Sequence, residues 1–426
     1  MFQTLRNAWR YEEIRKKILF TLFIILLYRI GNAFPVPFID TVALRAQFQA
    51  YDNNALGLLN AMSGGAFSRA TIFALSIQPY INASIIIQLL CIAIPALERM
   101  SKDEGEEGRK KIASITRYST VGIGLLQGLG YYMLIKNWGL IDSSVSNSVW
   151  AAIVIILTFT SGSALIMWLG EQITEHGVGN GISVILFASI VSRFPESVIR
   201  TVKSVIDKSM PWWAAVMVFL GALAIIVLIV YVNDAERRIP VQYAKRVVGR
   251  KMYGGQSTHL PMKVNMSGVM PIIFAQSIAT IPATVASFTG HSDAAWAQTN
   301  TIWYAVLYFA LIIAFAYFYS TIQFNPIEVA NNLKKNGGYI PGFRPGKPTS
   351  EFIARVLNKI TLFGAVYLGI IAVVPILVSH FFNNIESLTG LSLGGTSIII
   401  VVGVALETVR AIEAQMLMRN YKGFLS

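Results

Sequence analysis

The chain has 426 residues, of which 54% are hydrophobic and only 13% charged, and its formal net charge is +13. Soluble domains carry about 25% charged residues, so the composition excludes an ordinary soluble protein and indicates an all-α, polytopic membrane protein. The single cysteine, Cys91, excludes an intrachain disulfide and a metal site built on cysteines.

Ten apolar segments approach the roughly 20 residues that a helix needs to cross the hydrocarbon core of a bilayer. The fifth segment is short and only weakly apolar. An even number of spans would place both termini on the same side of the membrane. The predicted spans are residues 18–34, 71–95, 116–135, 149–168, 180–192, 212–232, 267–288, 302–322, 360–380 and 394–413.

The basic residues are distributed unevenly between the two sides that these spans define. Most of the 35 lysine and arginine residues fall in the N-terminal tail, in the loops after the second, sixth and eighth spans, and at the C-terminal end. Cytoplasmic loops of membrane proteins carry the excess of lysine and arginine. We therefore predict that both termini and these three loops are cytosolic.

A short apolar segment lies between the first and second spans, on the predicted outer side. Leu56, Leu59 and Met62 recur every three residues, which fits one face of a short helix, and Gly64 and Gly65 end it. The segment is too short to span the membrane. The residues alone leave two interpretations open, a surface helix on the outer leaflet and an interfacial or re-entrant segment.

The second and seventh spans both carry proline and polar side chains within apolar sequence. We predict that Pro79 interrupts the second span and that Pro271 and Pro282 break the seventh. Polar residues inside spans join helices or line water, and both interpretations stay open here. The polar positions are Asn82, Ser84 and Gln88 in the second span and Gln276 and Thr280 in the seventh.

Two of the predicted cytosolic loops are long. Residues 233–266 alternate apolar and basic side chains, which predicts a β-hairpin with basic flanks. A loose charge cluster attracted to anionic lipid is the alternative for this loop. Residues 325–359 combine Gly-Gly and Pro-Gly turn signals with Tyr339, Ile340 and Phe343, which predicts a folded, positively charged knob.

Catalysis and ion-coupled transport both find little support in the sequence. The four histidines lie in or beside loops and share no ligand spacing, so we predict no catalytic site, no metal and no cofactor. An ion-coupled secondary transporter of a small solute is the alternative function, since such proteins also contain broken helices. Transporters of that class carry ionisable residues near the membrane midplane, and these are scarce here. An intramembrane protease would need a serine or carboxylate dyad within the spans, where Asp and Glu are nearly absent.

Four motifs give the chain a specific family resemblance. They are PYINASII at 79–86, GEQITE at 170–175 followed by GNGIS at 179–183, STHLP at 257–261, and PGFRPG at 341–346. In this order and at these separations, they make the sequence closely similar to the SecY family, the channel-forming subunits of the bacterial Sec protein translocase. The similarity covers essentially the whole chain.

The resemblance implies ten transmembrane helices in two inverted, pseudo-symmetric halves around a central pore. The N-terminal half would be residues 1–192, including a plug at about 55–66, and the C-terminal half residues 193–426. The implied function is a protein-conducting channel, not an enzyme. It would translocate unfolded secretory proteins across the bacterial cytoplasmic membrane and release membrane-protein segments sideways into it.

The resemblance also implies roles for individual residues. An aliphatic ring would seal the pore, and Leu186 stands in it where the family favours isoleucine. The short segment at about 55–66 would be the plug, which replaces its interpretation as a surface helix. The implied ring is Ile77, Ile81, Ile182, Leu186, Ile273 and Ile400; the plug is Leu56, Leu58, Leu59, Met62, Gly64 and Gly65; and the polar lateral gate is Asn82, Ser84, Gln88, Gln276 and Thr280.

The loops 233–266 and 325–359 would together form the partner-docking platform. Arg344 is the sharpest candidate, because lysine cannot copy its planar fork. The implied docking residues are Arg238, Lys245, Arg246, Arg250, Lys251 and Arg344. The implied partners are SecE, SecG, the SecA ATPase, the ribosome and membrane insertion factors, with signal peptides and nascent chains as substrates, and no DNA.

Overall fold

Helices account for most of the chain. The structure is a computed structural model that describes residues 6, 8–50, 55–102, 104–142, 144, 148–208, 211–243, 246–248, 251–253, 257–288, 298–299, 301–381 and 386–422. The helices are α1 (Glu12–Gly31), α2 (Thr41–Ala50), α3 (Ala55–Met62), α4 (Gln78–Ala93), α5 (Pro95–Lys102), α6 (Gly105–Asn137), α7 (Val149–His176), α8 (Gly181–Ile206), α9 (Trp212–Asp234), α10 (Met270–Phe288), α11 (Ile302–Gln323), α12 (Pro326–Lys335), α13 (Lys347–Phe381) and α14 (Glu386–Lys422).

Each of the ten predicted spans overlaps one of these helices, which agrees with an all-α membrane protein. By length and composition alone, five helices of the described ranges are able to cross a membrane. The bent pair formed by α4 and Pro95–Ser101, with 106° between its parts, would make a sixth. The five helices are Val149–His176, Gly181–Ile206, Trp212–Asp234, Ile302–Lys335 and Lys347–Val378.

The prediction that proline interrupts the second span is wrong. Residues 71–77 are turns, and the helix begins only at Gln78, with Pro79 in its first turn. Proline suits that position because the N–H that it lacks would have no partner inside the helix. Pro271 likewise lies in the first turn of α10, and Pro282 lies within that helix without ending it.

The fifth span is longer than the sequence suggested. Its helix, α8, begins where the Asn180 side chain accepts hydrogen bonds from the N–H groups of Ile182, at 3.1 Å, and Ser183, at 3.4 Å. This is a regular N-cap. The helix continues to Ile206, so the boundary between the halves that we predict after residue 192 falls inside it.

The two long loops that we predict to be cytosolic share one β-sheet. Strand β1 (Glu236–Tyr243) pairs antiparallel with β4 (Ser257–Lys263) on one edge and with β5 (Gly338–Tyr339) on the other. A second ribbon joins β2 (Arg246–Val248) to β3 (Lys251–Tyr253). The predicted hairpin in 233–266 is therefore confirmed, and the loop 325–359 contributes a strand to the same sheet along with helix α12 and the start of α13.

Four hydrophobic clusters organise the described part of the chain, and three of them surround the predicted functional residues. The central cluster draws buried side chains from α1, α4, α8, α10, α11, α13 and α14, and so from both predicted halves. A plug-side cluster contains Leu44, Leu56, Phe67 and Tyr131. A platform cluster under the sheet joins Ile239 and Val241 of β1 to Ile340 and Leu357 of the other loop.

Candidate functional site

The six predicted ring residues come together in the centre of the protein. Five of them are buried in the central cluster, and Ile182 packs against it partly buried. They come from the start of α4, from α8, from α10 and from α14. The structure therefore brings together side chains that are far apart in the sequence and that lie on both predicted halves.

Helical spacing places two pairs of these side chains on the helix faces that pack into the central cluster. Ile77 caps α4, and its carbonyl oxygen accepts the Ile81 N–H at 3.1 Å, which places the two side chains one helical turn apart. Ile182 and Leu186 have the same spacing on α8. The start of α8 lies close against α7, since a Cβ on Gly181 would lie 1.9 Å from the Gly170 carbonyl oxygen.

Such a collar has a definite physical capability. Aliphatic side chains offer no hydrogen bonds to water, so a constriction that they line dewets and holds back ions when it is closed. They also lack fixed polar partners, so they can separate and repack around other side chains. Among the described residues, no group of His, Cys, Asp and Glu has the geometry to hold a metal ion.

The predicted plug is a short helix inserted among the long apolar helices. Leu56 is buried in the plug-side cluster, Leu59 packs against that cluster, and Met62 is buried in the central cluster. Helix α3 packs against α8, α10 and α14. A surface helix on the outer leaflet is therefore the wrong interpretation. Leu58 lies within α3, but its side chain is outside the described residues.

A hydrogen-bonded latch holds the C-terminal end of this helix. The Tyr28 hydroxyl of α1 lies 2.7 Å from Ser189 Oγ of α8 and 3.4 Å from the Ser63 carbonyl oxygen. Each hydroxyl has one proton, so the Tyr28 hydroxyl donates to the Ser63 carbonyl oxygen when it accepts from Ser189 Oγ, which also lies 2.8 Å from the Ile185 carbonyl oxygen. The Asn60 side chain accepts the Ser68 N–H at 3.0 Å, which closes the turn that follows the helix.

Two glycines shape that turn. Gly64 and Gly65 have φ of +67° and +84°, which glycine adopts without steric cost. A Cβ on Gly64 would also lie 2.9 Å from the Ser189 carbonyl oxygen. The prediction that this pair ends the helix is confirmed, because α3 stops at Met62.

The seam between the second and seventh spans is closed. Gln78 Nε2 at the start of α4 donates to Ser277 Oγ of α10 at 3.4 Å. Helix α10 also packs against both α4 and α6. This polar contact across the seam was missed from the sequence, although Gln78 directly precedes the Pro79 motif and Ser277 directly follows Gln276.

The five predicted gate residues line the same two helices. Gln88 donates to Ser84 Oγ at 3.1 Å, which confirms that these side chains share a face of α4. Thr280 is buried and donates to the Gln276 carbonyl oxygen at 2.9 Å. Asn82 is half-buried. The side-chain oxygen of Gln276 is buried and has no hydrogen-bond partner in the described structure, so the closed seam leaves a polar group unsatisfied.

Arg344 projects from a rigid turn on the platform. The turn is closed by the Phe343 N–H, which donates to the Ile340 carbonyl at 3.1 Å, and by the Thr349 hydroxyl, which donates to the Arg344 carbonyl at 2.8 Å. Phe343 stacks on Phe352 with ring centroids 4.2 Å apart. The Arg344 side chain is exposed and has no ion pair among the described residues.

Of the other predicted docking residues, one already has a charged partner, and the side chains of the rest are outside the described residues. Arg238 Nε donates to Glu236 Oε1 at 2.7 Å, so its charge is already partly engaged. Arg246 and Lys251 lie in the β2–β3 ribbon, but their side chains are outside the described residues. Lys245 and Arg250 are outside them altogether.

The base of the platform is fastened to the helix that carries Ile400. Arg410 of α14 binds the Asp234 carboxylate at 2.6 Å and the Asn233 carbonyl at 2.8 Å. Asn265, beyond the other end of the hairpin, donates to the Asn233 side chain at 2.8 Å. A single continuous helix therefore connects the root of the sheet to the ring.

Two more ion pairs involve side chains of helix α6. Arg117 of α6 binds Glu171 of α7 at 2.9 Å, which joins the GEQITE motif to the neighbouring helix. Lys111 donates to the Glu104 carboxylate at 3.0 Å, and this hydrogen bond raises the pKa of the Lys111 ammonium group. The Lys111 pair is exposed and therefore adds little to stability.

Comparison with known proteins gives a consistent result. The SecY family model matches residues 71–409. A protein translocase subunit SecY from Streptomyces scabiei is 45% identical over an alignment of 441 positions that covers all of both chains. The matched residues span the positions of all four motifs, from 79–86 to 341–346.

Solved structures with the same fold are more distant in sequence. One, described as the structure of a protein conducting channel, has a TM-score of 0.67 at 18% identity and covers 95% of this chain and 93% of that chain. Another, Sec61 in the canine ribosome-channel complex from the endoplasmic reticulum, has a TM-score of 0.63 at 16% identity, with the same coverage of both chains.

Proposed function

Because this chain belongs to the SecY family, we propose that it is the protein-conducting channel of a bacterial protein translocase. It moves unfolded secretory proteins across the cytoplasmic membrane and releases hydrophobic segments sideways into the lipid. The observation that carries this proposal is the convergence of six aliphatic side chains from both halves on one buried centre, directly beside the inserted helix α3.

The proposed ring meets two opposing requirements, a path for charged side chains and a barrier to ions. A translocating chain brings charged side chains, each of which costs about 2.5–3.5 kcal/mol at the bilayer centre even on the mildest scale. It therefore needs a polar path, yet an idle polar path would leak ions. A collar of isoleucine and leucine is closed and dry at rest, and it yields to any passing side chain.

Helix α3 acts as the plug in this proposal. Its contacts with α8, α10 and α14 place it against three helices that supply ring residues. The latch from Tyr28 to Ser189 and Ser63 keeps it seated at rest, and the Gly64–Gly65 turn gives it a hinge. Opening the pore requires these few hydrogen bonds to break, which is a modest barrier.

The seam between α4 and α10 acts as the lateral gate. It holds one long hydrogen bond between Gln78 and Ser277, together with the unsatisfied oxygen of Gln276. A closed seam with few strong contacts can part when a hydrophobic segment competes for the space between the helices. The residues Asn82, Ser84, Gln88 and Thr280 keep the opened seam partly polar.

The shared sheet of the two loops acts as the docking platform for partners that supply energy. Arg344 is its leading contact, and the proposed partners are SecE, SecG, the SecA ATPase, the ribosome and membrane insertion factors. The canine relative is described within a ribosome-channel complex, which supports a ribosome contact here. A ribosome would present RNA phosphate to these cations, so that contact would weaken with salt.

The chain lies in the cytoplasmic membrane of a bacterium, with both termini cytosolic. The support for this orientation is the excess of lysine and arginine in the tail and the three large loops. The platform then faces the cytosol, where a motor or a ribosome can reach it, and α3 lies towards the outer side.

Reconstitution tests the function. The chain is purified with its partner subunits, placed in vesicles and given the motor ATPase, ATP and an unfolded secretory protein. The expected result is protection of that protein from added protease, only with ATP. Gradient-driven accumulation of a small solute without any protein import would instead support an ion-coupled transporter and would contradict the proposal.

A further inference from the structure

A cavity of about 680 Å³ opens beside the end of α1, away from the ring, the gate and the platform. Its polar lining consists of Asn32, Thr41, Arg45, Arg69 and Thr71. Asn32 follows the last residue of α1, Arg45 lies on α2, and Arg69 ends the short 3₁₀ helix Phe67–Arg69. Two arginines in one concave surface indicate a preference for an anion.

The wall of the cavity is held in place by backbone hydrogen bonds. The Val36 N–H donates to the Ala70 carbonyl at 2.8 Å, and the Ile72 N–H donates to the Phe34 carbonyl at 3.0 Å. The two segments that carry Asn32 and Arg69 are thereby clamped side by side. The arrangement is a preformed surface and does not depend on a single mobile loop.

The charges of the cavity are only partly compensated. Arg45 Nη2 lies 3.7 Å from a carboxylate oxygen of Glu196 on α8, and both side chains are about half exposed, so this pair is weak. Arg69 is exposed and has no ion pair among the described residues. The nearby Asp40 carboxylate caps the first turn of α2, accepting from the Val42 N–H at 3.0 Å.

Asn32 provides an independent indication of a missing polar partner. Its side chain is 7% exposed, and neither its amide nitrogen nor its amide oxygen has a hydrogen-bond partner in the described structure. Buried amides are nearly always satisfied, so an unsatisfied one marks a place for a bound water or ligand. Here it lines the same cavity as the two arginines.

The surroundings of the cavity are lipid-facing. Leu22, Leu26 and Ile30 follow one another at four-residue intervals on α1, and all three are exposed. This apolar stripe leads to Phe34 and Val42, which are also exposed near the cavity. On a membrane helix such a stripe contacts acyl chains, so the cavity lies at the depth where lipid headgroups begin.

We propose that this cavity binds the phosphate group of an anionic phospholipid, with the acyl chains lying along the α1 stripe. The two guanidinium groups bind the phosphate oxygens, and Asn32 supplies an additional hydrogen-bonding group at the wall. The site is separate from the proposed protein path, so it stands or falls independently of the channel function.

The test is lipid binding to the full chain in detergent, followed by native mass spectrometry during titration with phosphatidylglycerol. The test variant is Arg45→Gln with Arg69→Gln. The control variant is Lys136→Gln with Lys203→Gln, which removes the same charge from the same predicted side at exposed positions outside the cavity. Size-exclusion profiles and thermal unfolding establish that both variants fold.

We expect phosphatidylglycerol to bind the test variant at least about tenfold more weakly than the unmodified chain. A loss of this size corresponds to one charged hydrogen bond. The control should match the unmodified chain, and zwitterionic phosphatidylcholine should bind weakly to all three. Equal binding of phosphatidylglycerol by the test variant and the unmodified chain would overturn the proposal. Inorganic phosphate distinguishes the source of the anion: millimolar phosphate that displaces the lipid completely would show a free-phosphate site and refute the lipid assignment.

Discussion

Tyr339 lies directly opposite Gln242 in the sheet, and its hydroxyl donates a hydrogen bond to the Gln242 side-chain oxygen at 2.9 Å. These residues belong to two loops that the seventh and eighth spans separate in the sequence. The pairing makes the loops one surface, so a partner that bound Arg344, as we propose, would also exert force on strand β1. That strand starts next to Asp234, which Arg410 ties to the ring helix α14.

Replacing Arg344 with glutamate should abolish motor-driven translocation while the chain still inserts and assembles. The exposed guanidinium sits on a turn fixed from both sides, and a carboxylate there would repel acidic groups of the partner. We expect a loss of at least about tenfold in ATP-dependent protein import, since a charged bidentate contact is replaced by repulsion. Lys347→Glu, three residues away and also exposed, is the matched control, and normal import by Arg344→Glu would refute the docking role.

Deleting residues 56–65 should increase the resting ion conductance of the channel. The deletion removes Leu56 and Met62 from two buried clusters and leaves only the aliphatic ring to block ions. Single-channel recording in planar bilayers measures this directly. Tyr28→Phe, which keeps α3 and removes only the latch hydroxyl, should give brief openings rather than a steady current. A deletion variant as silent as the unmodified channel would show that α3 is not a plug.

Locking the seam between α4 and α10 should stop translocation reversibly. The positions for cysteine are Gln78 and Ser277, whose side chains already touch across the seam. Cys91 is the only native cysteine, so a Cys91→Ser background leaves no competing thiol. Oxidation should block protein import, and a reductant should restore it. Import that continues through the oxidised protein would mean that the two halves need not part.

Gly162 should be far less tolerant of a methyl group than Gly221, although both lie in apolar helices. A Cβ on Gly162 would lie 1.9 Å from the Ile72 carbonyl oxygen, whereas nothing lies within 4 Å of one on Gly221. We expect Gly162→Ala to destabilise the protein by about 1–3 kcal/mol, the usual cost of overpacking. Gly221→Ala should be neutral or slightly stabilising. Thermal unfolding in detergent compares the two, and equal stability of the variants would contradict the close α7 packing.

The sequence predicts the local features of this protein well. Apolar length located the helices, turn residues located the end of α3, and alternation located the hairpin. Four-residue spacing placed Ser84 and Gln88 on one face, where they are hydrogen-bonded. Each of these predictions rests on a pattern among residues within a few positions of one another, and periodicity captures such patterns directly.

The features that escaped prediction depend on contacts between distant segments. Helix α4 begins only at Gln78 because the segment before it pairs with the chain that follows α1: the Ile72 N–H donates to the Phe34 carbonyl oxygen, and Ser76 adopts a φ of +52°. The pairing of β5 with β1 likewise joins segments nearly a hundred positions apart. The ion pair of Arg238 with Glu236 is a different case, because alternate residues of a strand share a face and the pair was therefore predictable.

The path of the translocating chain is tested most directly by photocrosslinking from the ring. A photoreactive amino acid replaces Ile273 in one variant and the exposed α9 residue Val227 in another, and translocation is stalled by a folded domain at the end of the secretory protein. We predict strong crosslinks to the stalled chain from position 273, dependent on ATP and the motor, and none from position 227. Equal crosslinking from both positions, or none from position 273 while import proceeds, would contradict passage through the ring.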